Sequence, residues 1–344
     1  MLVPTRQTDP TAPALPAPRG PISEQLVRRI RGELARTPSV PDAVWDDDDA
    51  QLALYLCYEL HYRGFSEAVV GAEWDPWIIS LRTAIEERFL AEVAATIEED
   101  LPSTPEAVED WLVAVASSGR GPSLSRFMEE RGTRSQMAEF CVHRSAYQLK
   151  EADPHTWGIP RLQGEAKAAM VQIQSDEYGD GVAAEMHSAL FATTMAELGL
   201  DPTYGAFVDQ LPAATLATCN LASLFGLHHR WRGAIVGHLA LFEMTSIGPM
   251  QKYANALRRL GLSTRAQRFY AVHVEADVVH ERIAVERLVR GLLRDHPELA
   301  HDVAFGAEAL SAVERRFTER LLAAWSAGQT SLRTDDAREM ARSA

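Results

Sequence analysis

Two histidines and an aspartate stand at helical spacing in the segment His273-Val-Glu-Ala-Asp277-Val-Val-His280. The flanking residues 266–270 and 282–292 are rich in helix formers, which predicts a helix through the segment. Because each helical residue turns about 100°, the three side chains fall at roughly 0°, 40° and −20° and share one narrow stripe. Imidazole and carboxylate together suit iron, manganese or zinc, so the stripe predicts a metal-binding face. The alternative is a polar stripe that meets solvent or is satisfied by hydrogen bonds.

A second candidate ligand, Glu243, lies within residues 233–248, a predicted helix that is apolar on nearly every face. A buried carboxylate without a partner is unfavourable, because its charge loses hydration and gains nothing in exchange. A metal ion is one partner that removes this penalty. A buried arginine or a set of hydroxyl groups is another, so the segment alone leaves both interpretations open.

Further candidates lie where two predicted helices meet near Gly179–Gly181. His187 stands among small and apolar residues, where a lone histidine is more often a hydrogen-bonded core residue than a ligand. Glu177 lies ten residues earlier, about 80° out of phase in an unbroken helix. The glycine-rich break can restore the phase, which keeps Glu177 a candidate, with Asp176 and Asp180 as its rivals.

The elements that must position these residues are all predicted to be helices. Strand signals are nearly absent, with no alternating segment longer than four residues and no Asn-Gly hairpin. Glu151 follows one predicted helix directly, and the simplest role for an acid at a helix end is contact with solvent. The predicted helices cover residues 23–35, 50–62, 76–100, 105–116, 124–150 with an interruption at Gly132, 161–178, 182–198, 203–210, 212–227, 230–247, 249–260, 264–293 and 298–327. The predicted fold class is all-α.

The bulk composition is that of an ordinary globular protein. The chain has 344 residues, of which 46% are hydrophobic and 24% charged, enough for one or two domains. A net charge of −14 disfavours nucleic acid as a partner. No apolar run reaches the length of a membrane span, and no secretory signal is recognisable. Cys57, Cys141 and Cys219 are widely spaced and form no CxxC motif, so we expect a cytoplasmic protein without a membrane partner.

Taken together, these candidates resemble the ligand set of the haem-oxygenase-like diiron oxidases and oxygenases, a group of iron-containing redox enzymes. The resemblance covers roughly residues 130–295. It rests on four segments that occur in the family's order: Glu151-Ala-Asp-Pro-His-Thr-Trp, Asp176-Glu-Tyr-Gly followed by His187, Leu241-Phe-Glu243, and the helix from His273 to His280.

The resemblance implies a helical bundle of haem-oxygenase topology that holds two Fe(II) ions in place of haem. The implied metal ligands are Glu151 from the first core helix, Glu177 and His187 from the second, Glu243 from a middle helix, and His273, Asp277 and His280 from the last. Some family members carry an acid three or seven residues before the histidine that matches His187. Here those positions hold Ala184 and Asp180, so the choice between Glu177 and Asp180 stays open.

The family also implies O2 as co-substrate and a small organic molecule as substrate. Its known reactions include amine N-oxygenation, oxidative decarboxylation of fatty acids and carbon–carbon cleavage of amino acids. No feature of this sequence selects among them. An external electron donor and a homodimer are both compatible with the resemblance.

Four regions are expected along the chain. Residues 1–21 hold six prolines and predict a disordered or loosely docked arm. Residues 22–125 form an N-terminal helical segment packed on the core, as an added layer, a dimerisation surface or a lid. Residues 126–328 form the haem-oxygenase-like diiron domain, and residues 329–344 a polar tail.

Two other functions compete with the oxygenase hypothesis. A thiaminase-like hydrolase on the same scaffold needs a nucleophilic cysteine, and Cys219 is the candidate, although no base stands beside it in the sequence. A non-catalytic metal-binding or storage protein needs only the ligands. Metal analysis separates the hydrolase from the oxygenase, and O2 consumption by ferrous protein separates the oxygenase from the store.

Overall fold

The computed structural model describes residues 11–97, 100–119 and 121–333. Within those ranges the regular structure is helical and contains no β-strand, so the predicted all-α class is confirmed. In the same residues, no helix combines the length and the apolar composition that crossing a membrane requires.

The α-helices of the described residues are α1 (Pro21–Ile30), α2 (Asp48–Glu59), α3 (Pro76–Ala95), α4 (Pro105–Ser117), α5 (Leu124–Glu130), α6 (Arg134–Gln148), α7 (Asp153–Thr156), α8 (Gly164–Glu177), α9 (His187–Leu198), α10 (Ala213–Leu227), α11 (Arg232–Arg259), α12 (Thr264–Ile283), α13 (Arg290–Asp295) and α14 (Ala300–Ser326). A π-helical segment, Ala284–Val289, joins α12 to α13. Short 3-10 turns lie at Ala72–Trp74, Ile159–Arg161, Gly179–Gly181, Val208–Gln210, His229–Trp231 and Pro297–Leu299.

The longest helix, α11, lies at the centre of the bundle and packs along both α12 and α14. Two separate helices were predicted over 230–247 and 249–260, and that prediction is wrong, because α11 continues through Pro249. Proline removes one helical hydrogen bond, but packing of both halves against α12 and α14 keeps the axis continuous. At the α11–α14 crossing, a Cβ on Gly237 would stand 1.8 Å from the Val303 carbonyl oxygen, so only glycine allows this approach.

Two helices that position the site begin at side-chain caps. Thr133 and Gln136 form a reciprocal capping box at the start of α6. The Ser263 side chain accepts a hydrogen bond from the Ala266 N–H at the start of α12. These caps fix where each helix starts and therefore which face it turns to the interior.

The N-terminal helices form a layer against α10. Helix α2 packs directly on α10, while α1 and α3 cover α2. Residues of these N-terminal helices belong to the same apolar cluster as Val142 and Ala146 of α6. The layer therefore packs against the helix that leads to Glu151.

The described parts of the predicted arm and polar tail, residues 11–21 and 329–333, contact other parts of the chain. Leu15 and Arg19 are buried, and Arg19 donates to the Val208 carbonyl. At the other end, Ser331 donates a hydrogen bond to Glu139. These contacts join residues far apart in the sequence, so local composition cannot reveal them. Residues 1–10 and 334–344 lie outside the described residues.

Candidate metal centre

The residues predicted as ligands come together in the interior of the bundle. Each is exposed by 7% or less of its surface: Glu151, Glu177, His187, Glu243, His273, Asp277 and His280. One group of potential ligand atoms comes from Glu151, Glu177, His187 and His273, and a second from Glu177, Glu243 and His280. Within each group the atoms lie within 4.8 Å of one another. Glu177 belongs to both groups, so its carboxylate stands between two neighbouring sites.

A tight turn between α8 and α9 brings Glu177 to His187. Glu177 ends α8, His187 begins α9, and Gly179 between them has a φ of 64°. A Cβ on Gly179 would stand 2.6 Å from the backbone nitrogen of Met186, so the turn requires glycine. The helix predicted over 182–198 starts only at His187. The irregular segment before it changes the direction of the chain, so that the side chains of Glu177 and His187 face each other.

The structure places the two rival acids, Glu177 and Asp180, in different surroundings. The Asp180 side chain is exposed and accepts a hydrogen bond from Ser175. Glu177 is buried, with one carboxylate oxygen 2.7 Å from His187 Nδ1. The orientation of that short contact is not that of a hydrogen bond, since both atoms lack a hydrogen-bond partner. A short approach without hydrogen-bond geometry is what two ligands of one ion would make.

Several polar atoms of the cluster are buried and have no hydrogen-bond partner among the residues that the structure describes. They are both carboxylate oxygens of Glu151, Oε2 of Glu177, Nδ1 of His187 and Oδ1 of Asp277. Buried polar groups almost always have a hydrogen-bond partner, because a buried donor or acceptor without one lowers the stability of the fold. Carboxylate and imidazole atoms are also the donor set that first-row transition metals accept. The residues present therefore fit a metal ion.

The cluster is also electrostatically unbalanced. Burial raises the pKa of Glu243 to about 7, and it also raises the pKa values of Glu151 and Asp277. Burial opposes protonation of His273 and His280, but the surrounding carboxylates outweigh it and raise both pKa values to about 10. Carboxylates that hold protons on nearby imidazoles mark a place where a cation is favoured.

Outer hydrogen bonds orient the imidazoles. His273 Nδ1 donates to the Phe269 carbonyl at 2.7 Å, which leaves Nε2 facing Glu151. His280 Nε2 lies 3.0 Å from the carboxylate of Asp176, and Nδ1 faces Glu243. Such partners fix the tautomer and ring direction of a metal-bound histidine.

Sequence reasoning missed two of the supporting residues. Asp176, considered only as a rival ligand, is instead the outer partner of His280. Ser246 donates to Asp277 at 2.6 Å and stands three residues after Glu243, one helical turn along the same face. That spacing was a usable signal, whereas the contact of Asp176 depends on how α8 and α12 cross.

Cys219 does not have the surroundings of a hydrolase nucleophile. The thiol is buried, and burial raises its pKa. Its hydrogen-bonding contact in the described residues is Thr218, at 3.9 Å, rather than a histidine or a carboxylate. An activated thiol needs an adjacent base or an electropositive, accessible setting.

Comparison with known proteins agrees with the geometry. The family described as iron-containing redox enzyme matches residues 138–315, just over half of the 344-residue chain. Nitrosourea synthase of Streptomyces achromogenes subsp. streptozoticus is 24% identical over 209 residues, which are 59% of this chain and 43% of that protein. The chain thus spans less than half the length of this relative. The helical fold, the buried histidine and carboxylate cluster and the family match agree, and the chain belongs to the iron-containing redox enzyme family with its haem-oxygenase-like fold.

Proposed function

We propose that this protein binds two iron ions at the buried centre and uses O2 to oxidise a small organic molecule. The observation that carries the proposal is the pair of ligand groups that share Glu177, with unpartnered atoms turned toward one another. A structural role alone would have paired these groups with hydrogen-bond donors or arginine.

The two sites divide the ligands between the helices. One ion would be held by Glu151, His187 and His273, and the other by Glu243, Asp277 and His280. Glu177 would contribute to both, because it belongs to both ligand groups. Asp277 lies with its oxygen 3.8 Å from His280 Nδ1, which supports its assignment to the second site.

Ferrous iron, when bound, supplies the electrons that activate O2 toward an organic substrate. The protein's own contribution is to hold the ligands and to exclude water. The cavity at the centre is about 10 Å³, close to the volume of one water molecule, and Tyr147 and Phe242 are among its walls. Asp176, Ser246 and the Phe269 carbonyl keep the ligands oriented by hydrogen bonds.

Oxidation at nitrogen is the reaction type to test first. The relative's name describes the synthesis of a nitrosourea, and amine N-oxygenation is among the family's reactions. Decarboxylation and carbon–carbon cleavage are the competing outcomes, and product analysis distinguishes all three.

Two matched substitutions on α12 test the function. Asp277→Ala removes a buried acid, whereas Glu275→Ala removes an exposed acid about 200° away on the same helix. Because alanine favours helix, both variants should fold. After anaerobic loading with Fe(II), we expect the wild type and Glu275→Ala to consume O2, and Asp277→Ala to have lost at least one iron and to consume none.

Two results would count against the proposal. Equal loss of iron in both variants would mean that the stripe on α12 is not a metal-binding face. An iron-loaded wild type that consumes no O2, with or without candidate substrates, would favour the non-catalytic metal-binding protein.

A further inference from the structure

A second cavity of about 390 Å³ adjoins the metal centre. Its walls come from α6, α11 and α14 and from the loop between α4 and α5. It shares Tyr147, Phe242 and Ser246 with the small cavity at the ligands. The rings of Tyr147 and Phe242 are 5.7 Å apart, so they form the partition between the two spaces. A volume of this size is typical of a pocket for a small molecule.

The wall near the partition is apolar and aromatic. Phe140 and Tyr253 stack with their ring centroids 4.6 Å apart, and Tyr270 and Leu241 complete this side. Such a wall favours the hydrocarbon or aromatic body of a ligand rather than a charged group.

Positive charge lies beside this aromatic wall, where the Arg144 guanidinium stands 5.6 Å from the centre of the Phe140 ring. Arg144 makes two hydrogen bonds to Glu314, at 2.8 and 2.6 Å, and both residues line the cavity. Arg315 lines it as well and has no carboxylate within ion-pair distance in the described parts of the chain. Among the described lining residues, two arginines therefore stand against one carboxylate. The bidentate pair also leaves N–H groups of Arg144 free to bind a further anion.

One buried polar group of the cavity lacks a hydrogen-bond partner among the described residues. Gln148 is 5% exposed, lines the cavity, and its Oε1 accepts no hydrogen bond. It follows Arg144 by one turn of α6, on the side that leads to Glu151. A carbonyl oxygen in this position is ready to accept an N–H or O–H group from a ligand.

We propose that this cavity holds the substrate, and that the substrate is a small carboxylic acid with an apolar or aromatic body. The carboxylate would lie at Arg144 and Arg315, the body along Phe140 and Tyr253, and the reacting end at the partition of Tyr147 and Phe242. The identification of the ligand as a substrate rests on the proposed function of the metal centre. The charge and shape of the cavity are independent of it.

Three probes that share one phenylethyl body test the ligand class. They are 3-phenylpropanoate, which has a carboxylate alone, phenethylamine, which has an ammonium group alone, and L-phenylalanine, which has both. Binding is measured by calorimetry on Fe(II)-loaded protein without O2. We expect both carboxylates to bind about tenfold or more tightly than phenethylamine, since a hydrogen bond to a charged group contributes at least that much. Tighter binding of phenylalanine would assign an amino acid, and tighter binding of phenylpropanoate a simple acid.

Two substitutions on α14 locate the carboxylate. Arg315→Gln should weaken both carboxylates about tenfold and leave phenethylamine unchanged. Arg320→Gln is the matched control, because Arg320 pairs with Asp46 and does not line the cavity. It should leave all three probes unchanged. Arg315 is partly exposed and unpaired in the described residues, so its replacement should not impair folding.

The inference is overturned if neither carboxylate binds at millimolar concentration, if phenethylamine binds as tightly as they do, or if Arg315→Gln changes nothing. Failure of the proposed function has a different signature. Protein that binds the carboxylates but holds no iron would refute the metal centre alone, and protein that holds two irons but shows no carboxylate preference would refute this inference alone.

Discussion

Two clusters of buried charge lie side by side in this protein, and they are built in opposite ways. The Lys150 cluster consists of Lys150, Glu59 and Tyr204. Lys150 and Glu59 form an ion pair at 2.8 Å with both side chains 1% exposed, and Tyr204 donates to the second oxygen of Glu59 at 2.6 Å. In the metal centre, by contrast, neither oxygen of Glu151 accepts a hydrogen bond from any residue that the structure describes.

The contrast is sharpest because Lys150 and Glu151 are neighbours in the chain. The backbone leaves α6 there, and Ala152 adopts a φ of 79°, which L-residues rarely do. One side chain is turned to the N-terminal layer and the next to the metal centre. A buried charge satisfied within the protein stabilises the fold, whereas one left without a partner indicates that something outside the chain completes it.

The largest expected effect on stability comes from breaking the Lys150 cluster. Glu59→Met would leave Lys150 buried without its counter-charge. Removal of one partner of a buried ion pair lowers the free energy of unfolding by about 3–5 kcal/mol. The measurement is chemical denaturation of the metal-free protein. As a control, Glu109→Gln breaks an ion pair with the exposed Arg290 and should change stability far less. A change in Glu59→Met no larger than in this control would show that the Lys150 cluster is not structural.

Each iron ion should stabilise the protein by a smaller but clear amount. An ion that binds only the folded state at a hundred times its Kd adds about 2.7 kcal/mol per site. We therefore expect a rise in Tm when Fe(II) is added under anaerobic conditions. Mg²⁺ is the control, because it prefers oxygen ligands and should not use the imidazoles. An unchanged melting curve at saturating Fe(II) would contradict a preformed site.

The smallest expected change in the free energy of unfolding is an increase, whereas Glu59→Met is expected to lower it. Glu151→Met removes a buried carboxylate whose two oxygens accept no hydrogen bond from the described residues, and its one ion-pair neighbour there, His273, stands 3.8 Å away. Methionine fills much the same space. In the metal-free protein we expect the free energy of unfolding to rise by about 1–3 kcal/mol, the range associated with an unsatisfied buried polar group. Denaturation alongside Glu59→Met gives the comparison directly, since both variants replace a buried Glu by Met. Loss of stability in both would mean that Glu151 has partners of its own in the folded protein.

Local geometry explains which parts of the site were predictable. His273, Asp277 and His280 lie on one helix, and helical rotation alone puts them on one face. Glu177 and His187 are separated by an irregular turn whose torsion angles the sequence does not specify. The sequence could therefore suggest that an acid near this turn lies close to His187, but it could not select between Glu177 and Asp180.

Long-range packing explains what was missed. The continuity of α11 through Pro249 depends on α12 and α14, and the docking of Arg19 depends on Val208. The wall of the larger cavity needs Arg144 and Arg315 on helices far apart in the chain. Local patterns contain no information about these crossings. The all-α class and the core helices were predictable because apolar periodicity and helix breakers are local signals.

The claim most in need of a direct test is that one chain binds two irons with Glu177 between them. The measurement is iron bound per chain after anaerobic loading with Fe(II) and removal of free metal. Glu177→Gln and Asp180→Asn make the same change, from carboxylate to amide, at the two acids that the sequence could not separate. We predict two irons in the wild type and in Asp180→Asn, and at most one in Glu177→Gln. Two irons in Glu177→Gln, or no more than one in the wild type, would contradict a two-iron centre that depends on Glu177.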